Sequence, residues 1–176
     1  MKTKFKGLKV FKSKKFLDKR GEFRELFKKS VVKEKELKFT CYSLSKKNVL
    51  RGLHLQKPNS QAKYITVVKG SIFDVAVDLR KKSKTYLKHF KITLSAKNCH
   101  SIFIPKGFAH GFLGLDKENL IVYQLTDYRS KKDEMGIKWN DKDLKIRWPI
   151  KKPIVSKKDL QNITLKDYLK KNDKKN

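Results

Sequence analysis

Cysteine is nearly missing from this chain. Only Cys41 and Cys99 are present, with no CxxC spacing, so neither a disulfide framework nor a thiolate zinc site can be read from it. Two reduced, buried thiols are expected. No stretch approaches the roughly 18 consecutive apolar residues that a membrane span requires, so no membrane partner is expected. No internal repeat or low-complexity linker interrupts the sequence. A length of 176 residues suits one domain, since domains usually hold about 100 to 150. Residues 1–38 read as an N-terminal arm, 39–148 as the core and 149–176 as a helical tail. The basic start MKTKFKGLKVFKSKKF has no apolar run followed by a small-residue cleavage site, so no secretory signal and a cytoplasmic location are expected.

Acidic residues are also scarce, 17 against 46 Lys and Arg, which leaves a formal charge of +29. A basic chain gains affinity for nucleic acid by neutralising phosphates and releasing counterions, which makes a nucleic-acid-binding protein the competing class. The distribution argues against it. Lysine is scattered throughout, whereas arginine, the bidentate reader of phosphates and guanines, is confined to Arg20, Arg24, Arg51, Arg80, Arg129 and Arg147. Dispersed lysine is a solvated surface, so weak binding to polyanions and no specific nucleic-acid partner are expected.

What the sequence does contain is short apolar runs between turn signals. In SIFDVAVDLR, Phe73, Val75, Val77 and Leu79 fall on one face of a strand and Asp74, Ala76, Asp78 and Arg80 on the other. Further strands are predicted in KYITVVKG, LKHFKITLS, HSIFIPKG and ENLIVYQLTDY. Together they predict an all-β sandwich or barrel of the jelly-roll kind, with one end open to a ligand. A short helix or a strand fits Glu22 to Lys29, and KKDLQNITLKDYLKK has imperfect helical periodicity.

Of the four histidines, His89 and His100 sit in unremarkable surroundings. His54 lies in VLRGLHLQKP beside Arg51, where Gly52, His54 and Gln56 share one strand face and Gly52 leaves room for a ligand to approach. His110 lies between glycines in IPKGFAHGF.

The segments LDKRGEFRE, SKKNVLRGLHLQ, AKYITVVKGSIFDVAVDLR, LSAKN, IPKGFAHGFLGL, VYQLTDY and GIKWNDKDLKIRWP occur in this order. Through them the chain resembles the dTDP-4-dehydrorhamnose 3,5-epimerase family from about Phe16 to Asp159. The resemblance implies a cupin-type jelly roll, usually a homodimer, that uses no metal or organic cofactor. It also implies a substrate, a nucleotide-linked 4-keto-6-deoxy sugar bound for a surface polysaccharide, and inversion at carbons 3 and 5. The ketone acidifies both neighbouring C–H bonds. A base takes a proton from one face, cationic groups hold the enolate oxygen, and an acid returns a proton to the other face.

By the resemblance His54 is the base and Asp159 its orienting partner, Lys63 the cation near the oxyanion, and Tyr123 the general acid. Arg51 matches a phosphate-binding position. Arg20 and Glu25 match an N-terminal motif that contacts the nucleotide and reaches into the partner subunit's site. His110 matches a second site histidine, with Asp74 orienting it or binding a hydroxyl, and Tyr128 lines the sugar pocket. The chain departs from the family where Phe39, Thr40 and Cys41 replace a Gln-Asp-Asn-like run and where Glu22 replaces an aromatic. The Glu22 carboxylate suits a guanine edge, so a GDP-linked 4-keto heptose is a variant substrate. A C3-only epimerase or a ketoisomerase on the same scaffold is the near alternative. A metal-dependent cupin is disfavoured, because His54 is followed by Leu55 and Gln56 rather than by a second ligand.

Overall fold

The computed structural model describes residues 3–29 and 37–173. In chain order the strands are β1 (Lys9–Lys12), β2 (Lys15–Asp18), β3 (Gly21–Arg24), β4 (Phe39–Lys46), β5 (Val49–Gln56), β6 (Lys63–Lys69), β7 (Ser71–Asp78), β8 (His89–Ser95), β9 (His100–Ile104), β10 (Phe108–Gly114), β11 (Glu118–Leu125), β12 (Glu134–Gly136) and β13 (Ile154–Val155). Two helices follow, α1 (Lys157–Leu160) and α2 (Leu165–Asp173). One sheet runs β1-β9-β6-β11-β4 and the other β12-β5-β10-β7-β8, with β13 added in parallel to β5. This is the expected jelly-roll β-sandwich, and the strands predicted around KYITVVKG, SIFDVAVDLR, LKHFKITLS, HSIFIPKG and ENLIVYQLTDY are all present.

Strand alternation divides the apolar residues between two layers. Ile65 and Val67 of β6, Ile72 and Ala76 of β7, Phe108 and Phe112 of β10 and Ile121 of β11 meet between the sheets. Phe5, Leu8 and Val10 join them, so much of the segment read as an arm is built into the sandwich through β1 and its pairing with β9. The opposite faces of β5 and β7, with Leu53, Leu55, Val75 and Val77, are covered by Ile137, Leu144, Leu165 and Tyr168 from the C-terminal third. The apolar face read in SIFDVAVDLR therefore points out of the sandwich toward the tail. Its other face, carrying Asp74, points in.

At Glu22 to Lys29 the open choice falls to strand for residues 22–24 alone. Residues 22–24 form the second arm of the β2–β3 hairpin and residues 25–28 have no regular structure. Gly21, at φ +129°, makes the turn without Cβ strain, and the Phe16 and Phe23 rings pair across it at 6.3 Å. Arg24 ties the hairpin down, donating to Ser13 Oγ at 2.8 Å and to the Val67 carbonyl at 3.0 Å. One cysteine departs from the expectation of two buried thiols. Cys99 is buried, but Cys41 on β4 is exposed.

Candidate active site

His54 and His110 are cross-strand partners on β5 and β10, so both side chains enter the space between the sheets. Beside them the β10 register shifts between His110 and Phe112. Gly52 and Gly111 meet at this shift. A Cβ built on Gly52 would lie 2.5 Å from Gly111 Cα and 2.9 Å from the His110 carbonyl, and Gly52 itself has φ +132°. The room beside Gly52 is thus taken by protein backbone, which corrects the reading of it as an approach for ligand. Gly52 instead lets β5 and β10 close together and directs its N–H toward Asp159 Oδ2, 3.3 Å away.

Asp159 is buried in α1, with Ser156 capping the helix by accepting from the Asp159 N–H. Its Oδ1 lies 2.5 Å from His54 Nε2. Burial pushes the Asp159 carboxyl up, but the His54 hydrogen bond and charge, with the Gly52 N–H, outweigh burial and hold it below the ordinary carboxylate value. An ionised carboxylate only accepts, so His54 Nε2 donates and Nδ1 is left as the nitrogen with the lone pair. Asp74 stands in the same relation to His110, with its Oδ2 at 2.7 Å from Nε2. Asp74 is fully buried, and its Oδ1 has no hydrogen-bond partner among the described residues.

The facing sheet contributes the other two groups. Lys63 on β6 and Tyr123 on β11 occupy adjacent strands, with Lys63 opposite Leu125 and Tyr123 opposite Ile65. Burial pulls the Lys63 ammonium below its ordinary pKa, against the opposing pull of Asp74 and Glu134. Burial pushes the Tyr123 phenol well above the ordinary range, while its oxygen lies 3.1 Å from Ser43 Oγ. His54, Lys63 and Tyr123 line one cavity of about 170 Å³ with Phe39, Cys41 and Gln56. A second cavity of about 380 Å³ adjoins it, lined by Arg51, His54, Ser156, Lys158 and Asp159. Arg51 is exposed there, with its Nε donating to Ser45 Oγ at 3.0 Å.

Tyr128 is exposed beside this site and stacks on Phe39, with centroids 5.9 Å apart. Arg20, Glu22 and Glu25 line neither cavity. Arg20 is paired with Asp18, Glu22 with Lys15 and Glu25 with Lys28, all on or just after the hairpin. Arg129 and Glu134, which line both cavities, and Lys158 escaped the sequence reading. For Arg129 a signal was present, since an arginine is conspicuous where lysine is the usual cation. Among the described residues no three His, Cys, Asp or Glu side chains converge as a metal would need, and no helix is long and apolar enough to cross a membrane.

The sequence model of the dTDP-4-dehydrorhamnose 3,5-epimerase family matches residues 2–167. An enzyme of that name from Shigella flexneri is 43% identical over 166 residues, covering 91% of this chain and 92% of its own. A solved dTDP-6-deoxy-D-glucose-3,5-epimerase from Legionella pneumophila, in complex with dTDP-4-keto-L-rhamnose, superposes with a TM-score of 0.88 at 36% identity, covering 93% of this chain and 90% of that one. A dTDP-4-dehydrorhamnose 3,5-epimerase from Bacillus anthracis with TDP and PPi bound gives 0.86 at 38% identity, covering 90% and 94%. With the predicted fold present and the match running almost end to end, this chain belongs to the dTDP-4-dehydrorhamnose 3,5-epimerase family of nucleotide-sugar isomerases.

Proposed function

We propose that this protein epimerises carbons 3 and 5 of a nucleoside-diphosphate 4-keto-6-deoxy sugar through an enolate, without a cofactor, in cytoplasmic synthesis of a surface polysaccharide. The observation that carries this reading is the placement of an imidazole on one sheet, paired with a carboxylate from α1, and a phenol on the other sheet, across a single cavity that also holds an amine.

The sugar ring lies in the smaller cavity with its ketone toward Lys63, whose ammonium is worth more in a half-dry pocket than in water. His54 Nδ1 removes the proton beside the ketone, and Asp159 stabilises the imidazolium that results. Tyr123, on the facing sheet, returns a proton to the opposite face of the enolate. His110, oriented by Asp74, packs behind this path; neither lines the two cavities, so their part is to hold the wall beside His54. Arg51, in the adjoining cavity, takes the diphosphate with its planar fork.

Because Arg20, Glu22 and Glu25 line neither cavity, their contact with nucleotide requires a second subunit, and we propose a homodimer in which each hairpin completes the partner's site. No specific nucleic acid or membrane takes part. We take the nucleotide as dTDP, on the ground that the Legionella pneumophila relative is solved with dTDP-4-keto-L-rhamnose and the Bacillus anthracis relative with TDP and PPi. Glu22, the group suited to a guanine edge, is engaged by Lys15 at 2.7 Å.

Incubation with dTDP-4-keto-6-deoxyglucose, followed by assignment of the product's configuration by NMR, tests the reading. Inversion at both carbons is expected. Inversion at carbon 3 alone would make it a C3 epimerase, and recovery of a 3-keto sugar would make it a ketoisomerase.

A further inference from the structure

Glu134 sits at the wall between the two cavities and reverses the usual order of a surface ion pair. Its carboxylate is turned inward, with 15% of its side chain exposed, while the two cations it holds, Arg129 and Lys158, are 59% and 60% exposed. Arg129 donates from Nε to Oε1 at 3.2 Å and from Nη2 to Oε2 at 3.0 Å, and Lys158 Nζ also donates to Oε2. Glu134 belongs to β12 and is registered against Gln56 of β5, two residues from His54. Its backbone is therefore tied to the strand that carries the base, whereas Arg129 comes from the turn after β11 and Lys158 from a single helical turn.

Arg129, Glu134 and His54 line both cavities. Arg129 thus stands where a ligand spanning the two would pass from one to the other. Two of the five guanidinium N–H donors are used by Glu134, which leaves three without a partner among the described residues. The larger cavity carries three cations, Arg51, Arg129 and Lys158, against two carboxylates, Glu134 and Asp159. An anion is the ligand such a lining favours.

We infer that Arg129 is a substrate-binding residue that grips the diphosphate at its junction with the sugar, and that Glu134 is the positioning residue that aims it. The inference rests on the proposed function for the identity of the ligand. A largely buried carboxylate holding an exposed guanidinium by two bonds lowers the freedom that binding would otherwise have to remove. An ordinary exposed ion pair would contribute little to stability and nothing to anion affinity.

The test is calorimetric titration of the full-length protein with inorganic pyrophosphate at low salt. Arg129→Ala, Glu134→Gln and Lys166→Ala are compared with the parent. Lys166, exposed on α2 and lining neither cavity, controls for the loss of one positive charge. Loss of a bidentate grip is expected to weaken pyrophosphate about tenfold in Arg129→Ala, with Lys166→Ala close to the parent. Glu134→Gln discriminates sharply, because it makes the cavity more positive. A purely electrostatic role predicts tighter binding, whereas positioning predicts weaker binding despite the gain in charge.

Equal affinities in Arg129→Ala and Lys166→Ala would overturn the part given to Arg129, and tighter binding by Glu134→Gln would overturn that given to Glu134. A parent protein that binds no pyrophosphate would overturn both. A parent that binds pyrophosphate but turns over no keto sugar would overturn the proposed reaction while leaving the comparison of variants readable. With a turned-over sugar, Arg129→Ala is expected to raise KM with little change in kcat, and a fall in kcat at unchanged KM would contradict a binding role.

Discussion

Asp159 reaches His54 from the far end of the chain, 105 residues away, and bonds its Nε2 at 2.5 Å. The path to this contact is short-range at each step. β13 pairs in parallel with β5 through Ile154 and Val155, Ser156 caps the helical turn that follows, and the turn faces Asp159 toward His54. If the carboxylate stabilises an imidazolium, Asp159→Asn should slow enolisation by about 10² or more, in line with the usual contribution of acid–base groups. Solvent-deuterium exchange at the sugar carbons checks it, and an unchanged rate would reduce Asp159 to a structural role.

Gly52→Ala should destabilise the fold without adding any contact to the ligand. The new methyl would face Gly111 backbone at 2.5 Å from a residue with φ +132°, which combines overpacking with a strained conformation and costs about 2 kcal/mol or more. Urea unfolding measures it. A midpoint equal to that of the parent would mean that β5 and β10 can separate freely at this point.

The acid limb of stability has identifiable sources. Asp78 is buried, which raises its pKa, yet hydrogen bonds from Arg80, Ser83 and Thr85 outweigh burial and bring it to about 2 from 3.8. Glu134 is likewise raised by burial and brought down more strongly by Arg129 and Lys158, from 4.5 to about 2. A carboxylate whose folded pKa is depressed gives its full stabilisation above the unfolded value and loses it as pH falls through the folded one. Stability should therefore be steady above the unfolded values of 3.8 and 4.5 with respect to these two groups and decline from there to about 2. Asp78→Asn should lose about 3 kcal/mol at neutral pH, where the parent pair is intact, and show a shallower decline in acid. Urea midpoints measured across this range decide it, and parallel acid limbs for the two proteins would contradict the assignment.

Tyr123→Phe keeps the ring and removes the proton donor. Since burial holds the phenol protonated across the neutral range, loss of the hydroxyl should impair formation of the doubly inverted sugar while exchange survives at one carbon. Normal turnover to that product would reject Tyr123 as the acid.

The strands were legible in the sequence because period-two alternation is a local signal, and the segment around His54 stood out for the same reason, although the role of base came from the resemblance. Long-range partners were less so. Asp159 was found through resemblance, and Lys63 would have been lost among the other lysines without it. Gly52 was misread because its neighbour across the strand, Gly111, is not visible from local spacing. Glu134 and Arg129 were missed for a related reason, since their importance comes from a strand of three residues, β12, that lies against β5. The hairpin at Gly21 was ambiguous because so short a window supports either period.

The most direct measurement of the central claim is proton NMR in deuterated water, with parent and His54→Ala proteins offered dTDP- and GDP-linked 4-keto-6-deoxy sugars and carbons 3 and 5 followed separately. The account predicts exchange at both carbons by the parent, faster on the dTDP sugar, and none by His54→Ala. Near-normal exchange by His54→Ala, or silence from the folded parent with both sugars, would contradict it.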